Sequence, residues 1–173
     1  QRYVRHFHMI NLVPFDDGSL NKLFQSIMDW HMLKGFAGKI KGLAPKVVEA
    51  SIALFNETRR CMLPTPLKSH YTFNLRDLAK VFQGMNQGSP EVIKETVDVL
   101  RLWGHECTRT FHDRLTTKSD RKWFMDTLGE LMQSVFNKKW APDVRGANEL
   151  LIFGNFANDE GTYGEVADHE AMN

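Results

Sequence analysis

From about residue 20 to residue 136 the apolar residues recur three and four positions apart, and glycine or proline breaks the pattern at a few places. That spacing constrains the fold more than any other feature. It makes one-sided helices, which can bury their stripes only against one another. A first helix is predicted from about Leu20 to Leu33, with Leu20, Leu23, Phe24, Ile27, Met28 and His31 on its stripe and Trp30 flanking it. Pro45 opens a second as a first-turn proline, and Val48, Ile52, Phe55 and Met62 mark its buried face. Leu63-Pro64-Thr65-Pro66 stops it, because prolines remove donors and disfavour helix before them. A third helix follows Asn74 and closes at Gly84, with Leu75, Leu78 and Phe82 inward. Ser89-Pro90-Glu91 reads as the start of a long fourth, about Pro90 to Leu115. Gly104 within it costs about 1 kcal/mol against alanine, so another helix is expected to pack closely there. Thr117-Lys118-Ser119-Asp120 can form a capping box for a fifth, which runs to about Phe136 and buries Trp123, Phe124, Leu128, Leu131 and Val135.

The ends read differently. Phe7 to Val13 alternates two sets that are both largely apolar, which predicts one buried strand. A single strand cannot stand alone, so its partners are expected outside this sequence. The start at Gln1 in place of methionine reads as a fragment or a processed product. Gly35 to Gly42, with lysines at 34, 39 and 41, lacks the order of a phosphate loop and reads as a mobile connection. After Asn137 the pattern fails, and Lys138 to Pro142 reads as a linker. Leu150 to Phe153 is a brief apolar run, either a strand or a clamp onto the helices, and Tyr163 to Met172 suggests a short helix.

Composition narrows the function. Hydrophobic residues make up 42% and charged residues 25% of 173, with a net charge of +1. This is the balance of a soluble folded chain, and it argues neither for nucleic acid nor for an anionic membrane. No apolar run approaches the roughly 20 residues of a membrane helix, and no signal peptide opens the chain. Cys61 and Cys107 lie far apart without metal-ligand spacing, so buried free thiols are expected. No nucleophile elbow, paired-carboxylate site, Walker A sequence or dinucleotide fingerprint appears. His105, Glu106, Arg109, His112, Asp113 and Arg114 crowd one stretch, where Glu106 or His105 with Arg109 suits an ion-pair network. An enzyme would need them, His105 and His112 above all, to converge in a pocket.

One residue is out of place. Asn74 can cap the third helix and Asp77 can reach back to it, but Arg76 sets a cation in the first turn, where the helix dipole is positive. Two readings are open. Arg76 is a solvated arginine paired with Asp77 or another carboxylate, or it shares an anion, phosphate foremost, with neighbouring backbone N–H groups.

Several long words now carry a resemblance. Leu63-Pro64-Thr65-Pro66 followed by Ser69-His70-Tyr71-Thr72-Phe73-Asn74-Leu75-Arg76-Asp77-Leu78 and Val81-Phe82-Gln83-Gly84 resembles the third AAA+ module of dynein heavy chains, closer to axonemal than to cytoplasmic ones. Arg101-Leu102-Trp103 with His105-Glu106, Phe111-His112-Asp113-Arg114-Leu115, and Asp120-Arg121 with Trp123-Phe124 resemble the same module in the same order. The resemblance implies a mostly α fold: an AAA+ C-terminal helical lid subdomain with one terminal strand of the α/β subdomain. Residues 1–14 would end the large subdomain, 15–136 form the lid, and 137–173 lead toward the fourth module. It also implies roles. Arg76 matches the sensor 2 arginine that opens a lid helix, with Asn74 as the cap beside it, and Arg5 falls in the region of the arginine finger, Arg2 close by. ATP or ADP with Mg²⁺ would bind the intact module, and no nucleotide is expected to bind tightly to this chain, which lacks Walker A, Walker B and sensor 1. The implied partners are the rest of the AAA+ ring and, through the whole motor, the microtubule and the dynein intermediate and light chains. No nucleic acid or membrane is implied, and the place is the cytoskeleton of the cilium or flagellum. A free-standing helical protein-interaction module is the alternative.

Overall fold

The computed structural model describes residues 2–145, 151–156 and 161–166. Six α-helices carry these residues: α1 Asp17–Met32, α2 Gly38–Lys41, α3 Ala44–Cys61, α4 Leu75–Met85, α5 Thr96–Cys107 and α6 Lys118–Phe136. Two strands of two residues each, β1 Phe153–Gly154 and β2 Gly164–Glu165, pair antiparallel, Phe153 opposite Glu165 and Gly154 opposite Gly164. The fold is thus mostly helical with a small terminal strand pair.

The stripes read from sequence face inward. α1 packs on α3, α3 on α6 and α4 on α5. Phe24 of α1 stacks on Phe82 of α4 with ring centroids 4.3 Å apart. Trp103 of α5 is fully buried and donates its indole N–H to Ser51 Oγ of α3 at 2.8 Å. A buried indole has found its partner, so the bulkiest side chain in the core costs no orphaned donor. His31, on the stripe of α1, is buried, and its Nε2 lies 3.1 Å from the carbonyl of Gly88. Trp30, beside the stripe, stays exposed under Lys34.

Three expectations are corrected. The helix predicted from Pro90 begins at Thr96. Ser89 accepts only one turn, from Val92 and Ile93, and the true start is fixed by Asp98, whose carboxylate accepts the N–H groups of Lys94 and Glu95 at 3.0 and 2.9 Å. The far end also changes: Thr108–His112 is a π-helical turn and not α-helix. Gly104 is the site of a close approach, but the neighbour is a side chain. A Cβ at Gly104 would collide with the ring of Trp140, which belongs to a second π-helical turn, Trp140–Arg145, whose Val144 is fully buried. Residues 7–13 pair with nothing among the described residues, and Phe7, Met9, Ile10, Leu12 and Val13 are exposed. Lacking a neighbouring strand, their backbone has no ladder to join.

Smaller differences have local causes. Gly38–Lys41, read as mobile, makes one helical turn around a buried Ile40. Both thiols are free, but only Cys107 is buried and Cys61 is exposed. The apolar run near residue 150 is both of the things it could have been: Phe153 enters a ladder, and Leu151 clamps His105 through its carbonyl at 3.0 Å. Of the short helix expected at Tyr163–Met172, residues 164–165 are strand and 167–173 lie outside the described residues. No described helix is long and apolar enough to cross a membrane.

Candidate functional site

The start of α4 is built twice over. Locally, Asn74 holds an extended backbone and its Oδ1 accepts the N–H of Arg76 at 2.9 Å, while Asp77 Oδ2 accepts the N–H of Asn74 at 3.0 Å. This reciprocal cap satisfies two orphan donors of the first turn. From a distance, the segment leading into it is clamped. Arg114 donates to the carbonyls of His70 and Thr72 at 3.0 and 3.2 Å, pairs with Asp77 at 3.1 Å and lies 4.8 Å above the ring of Phe73. Tyr71 donates its hydroxyl to Asp120 at 2.8 Å and accepts the N–H of Thr116 at 2.9 Å. Lys68 reaches the same carboxylate at 2.5 Å. Burial raises the pKa of Asp120, but bonds from Lys68, Thr117 and Tyr71 outweigh it and hold the group below the usual carboxylate range. Asp120 therefore does not complete the expected capping box. Thr117 still caps α6 at 3.3 Å, and the carboxylate has turned to the clamp.

Arg76 stands on this frame, exposed, with no side-chain hydrogen bond or ion pair among the described residues. The carboxylate that sequence offered it, Asp77, is engaged by Arg114, and Lys80 lies 4.0 Å away. The backbone amides offered to a shared anion are also engaged: that of Arg76 goes to Asn74 Oδ1, and that of Asp77 goes to the Asn74 carbonyl at 2.9 Å. What remains is a free guanidinium on a rigid base, with the positive end of the helix beneath it. Arg5 lies in a single 3₁₀ turn, Val4–His6, exposed like Arg2 and likewise without a described partner.

His105 and His112 do come together. Both line a cavity of about 270 Å³ with Thr108, Asp113, Met125, Trp140, Arg145 and Leu151. One nitrogen of each ring is engaged, and His105 Nε2 is buried without a hydrogen-bond partner. His105 is buried, its Nδ1 is 3.0 Å from the Leu151 carbonyl, and burial lowers its pKa. His112 lies against Asp113 at 3.3 Å, and the Thr108 hydroxyl returns to the Gly104 carbonyl at 2.8 Å. Among the described residues no three His, Cys, Asp or Glu side chains gather as metal ligands.

Sequence reading placed one further buried group only as half of an ion pair. Glu106 is fully buried and accepts Arg109 Nη2 at 2.6 Å and the Tyr163 hydroxyl at 2.5 Å. Its carboxylate fills the place a side chain would take at Gly84 of α4. Burial, with that bond, raises the pKa of Tyr163. The sequence marked Gly84 only as the close of its helix and gave no sign that a carboxylate would pack there.

These helices, with α4 capped and clamped at one end, match a known pattern. A family model described as the AAA+ lid domain covers residues 47–146, from early α3 to the second π-helical turn. The chain belongs to the AAA+ lid domain family. It is also homologous to axonemal dynein heavy chains. It is 41% identical over 156 residues to dynein axonemal heavy chain 6 of Homo sapiens, covering 90% of this chain and 4% of that protein. To dynein axonemal heavy chain 1 of Mus musculus it is 39% identical over 152 residues, 79% of this chain and 4% of the relative. To dynein axonemal heavy chain 5 of Rattus norvegicus it is 38% identical over 146 residues, 83% and 4%. The chain thus spans about 4% of the length of these relatives. Within the lid the sequence carries no phosphate loop and no Walker B acids. Residues 47–146 are thus an AAA+ lid subdomain.

Proposed function

We propose that this chain is the nucleotide-sensing and structural lid of the third AAA+ module of an axonemal-type dynein heavy chain. The observation that carries the reading is the unpaired guanidinium of Arg76 on a doubly fixed helix start. Lys68, Lys80 and Arg114 each lie within 4.0 Å of a carboxylate, whereas Arg76 is exposed with no such partner among the described residues. A cation held there without a partner is suited to a phosphate supplied from elsewhere. The module number rests on the words shared with that module, Ser69 to Leu78 above all.

In this reading ATP or ADP, with Mg²⁺, sits between the lid and an α/β subdomain of which residues 1–14 are the final strand. The Mg²⁺ ligands and the water-activating groups belong to motifs that this sequence does not contain. Arg76 acts as sensor 2: its guanidinium stabilises charge on the γ-phosphate, and the rigid α4 turns that contact into a lid rotation. The rotation passes to neighbouring modules as a rigid-body change. Arg5 serves as an arginine finger toward the nucleotide of the preceding module. Residues 15–136 are the lid, and 137–173 run toward the fourth module. The partners are then the rest of the ring and, through the whole motor, the microtubule and the intermediate and light chains, in the ciliary axoneme. The exposed apolar residues 7–13 fit the free-standing interaction module as well, but a strand awaiting its sheet also accounts for their alternation.

The test uses a protein extended upstream to the complete module, as parent and as Arg76→Ala, titrated by calorimetry with ADP and a non-hydrolysable ATP analogue. Loss of one charge-assisted contact to the γ-phosphate predicts roughly tenfold weaker binding of the analogue, with ADP unchanged. Equal affinity of both proteins for both ligands, in a folded variant, rejects direct sensing.

A further inference from the structure

A second cavity, of about 340 Å³, lies beside α4 and is lined by Asp77, Lys80, Arg109, Thr110 and Arg114. Three of its five lining side chains are cations, drawn from α4, from the π-helical turn and from the loop after it. Arg76 is not among them.

The one carboxylate is occupied on one oxygen: Asp77 Oδ2 accepts the Asn74 N–H at 3.0 Å and lies 3.1 Å from Arg114 Nη1. Lys80 stands 4.0 Å from it, too far for a hydrogen bond, with its side chain half exposed. Arg109 gives its Nε and Nη2 to the buried Glu106 and leaves the other edge of a half-exposed guanidinium uncommitted. Asp113 and Tyr163 add weaker interactions with Arg109. Thr110 supplies an independent observation. Its residue is 6% exposed, and its hydroxyl is buried with no hydrogen-bond partner. The hydroxyls of Thr58, Thr108 and Thr127 each return to the carbonyl four residues back. Thr110 does not, so a buried hydroxyl is left with its desolvation cost unmet.

We propose that this cavity is a binding site for a phosphate-type oxyanion, free or as the terminal phosphoryl group of a small molecule. Lys80 and the free edge of Arg109 supply charge, Thr110 supplies a neutral donor, and Arg114, pinned to the backbone of His70 and Thr72, sets the wall. A tetrahedral oxyanion offers acceptors in several directions at once and suits donors converging from separate elements. The site is separate from the contact proposed for Arg76 and needs no second subdomain.

The experiment is an amide-resolved NMR titration of the 173-residue chain with inorganic phosphate, ionic strength being balanced by chloride. Saturable shifts are expected at Lys80, Thr110 and Arg114. Lys80→Gln, at an exposed position, and Thr110→Val, which keeps the shape, should each weaken binding by roughly threefold to tenfold. Arg76→Ala should leave it unchanged, which keeps this test apart from that of the sensor. Shifts that stay linear, that chloride or acetate reproduces, or that persist undiminished in both variants would overturn the proposal. So would loss of the shifts in Arg76→Ala.

Discussion

Two segments at opposite ends of the chain are both rich in apolar residues and meet opposite fates. Residues 7–15 leave Phe7 60%, Ile10 83%, Leu12 84% and Val13 82% exposed. Residues 151–156 and 161–166 bury Phe153 to 7% and Val166 to 5%. Hydrophobicity alone does not separate them, since the first run is the more apolar. The second is held by polar anchors at defined points. His105 meets the Leu151 carbonyl, Tyr163 donates to Glu106, Arg101 pairs with Glu165, and Val166 donates its N–H to the Ile152 carbonyl at 2.9 Å. An extended segment must satisfy its backbone before it can bury its side chains. The C-terminal segment finds those partners on α5 and in its own ladder, and the N-terminal one finds none among the described residues.

Breaking the anchors should therefore undo the C-terminal segment first. Glu106→Ala has the largest expected effect, about 3 kcal/mol in urea unfolding, because it opens a cavity beside Gly84 and strips Arg109 and Tyr163 of their acceptor. Tyr163→Phe removes only the donor and leaves a carboxylate still paired with Arg109. About 1 kcal/mol is expected, with faster hydrogen exchange at 151–154 and 163–166 and none of that change at 2–16.

Acid provides a smaller, reversible version. Burial lowers the pKa of both His31 and His105, with Lys34 adding to it at His31 and the Leu151 carbonyl and Glu106 opposing it at His105. The unfolded chain takes up protons below about pH 6.5 that the folded chain resists. Stability is then fully present above that pH and declines as pH falls toward the folded-state values. Urea midpoints at pH 7 and pH 5.5 should show the decline, and His105→Gln should reduce it. The smallest effect belongs to the other end. Leu12→Ser should change stability by less than about 0.5 kcal/mol, since the side chain is already in water.

Much of this was legible in the sequence where the determinants are local. The stripes of α1, α3 and α6, the proline stop at Pro64 and Pro66, and the Asn74–Asp77 cap all lie within a few residues of what they determine. The start of α5 was not legible, because Ser89-Pro90-Glu91 carries every mark of a helix start and spends it on a single turn, while Asp98 fixes the real one. The site divides in the same way. Arg76 was singled out through its odd place in a first turn. Its lack of a partner was not, because that depends on Arg114 taking Asp77 from 37 residues away in sequence. The second cavity and the burial of Glu106 likewise depend on residues that only tertiary packing brings together.

The comparison of the two ends rests on the proposal that residues 7–13 are a strand whose sheet lies upstream, and hydrogen exchange tests it most directly. Amides of residues 7–13 would be followed in the 173-residue chain and in a protein extended through the complete module. The account predicts fast exchange in the first and strong protection in the second, with residues 151–154 unchanged between them. Exchange at residues 7–13 that stays fast in the folded, extended protein would contradict it.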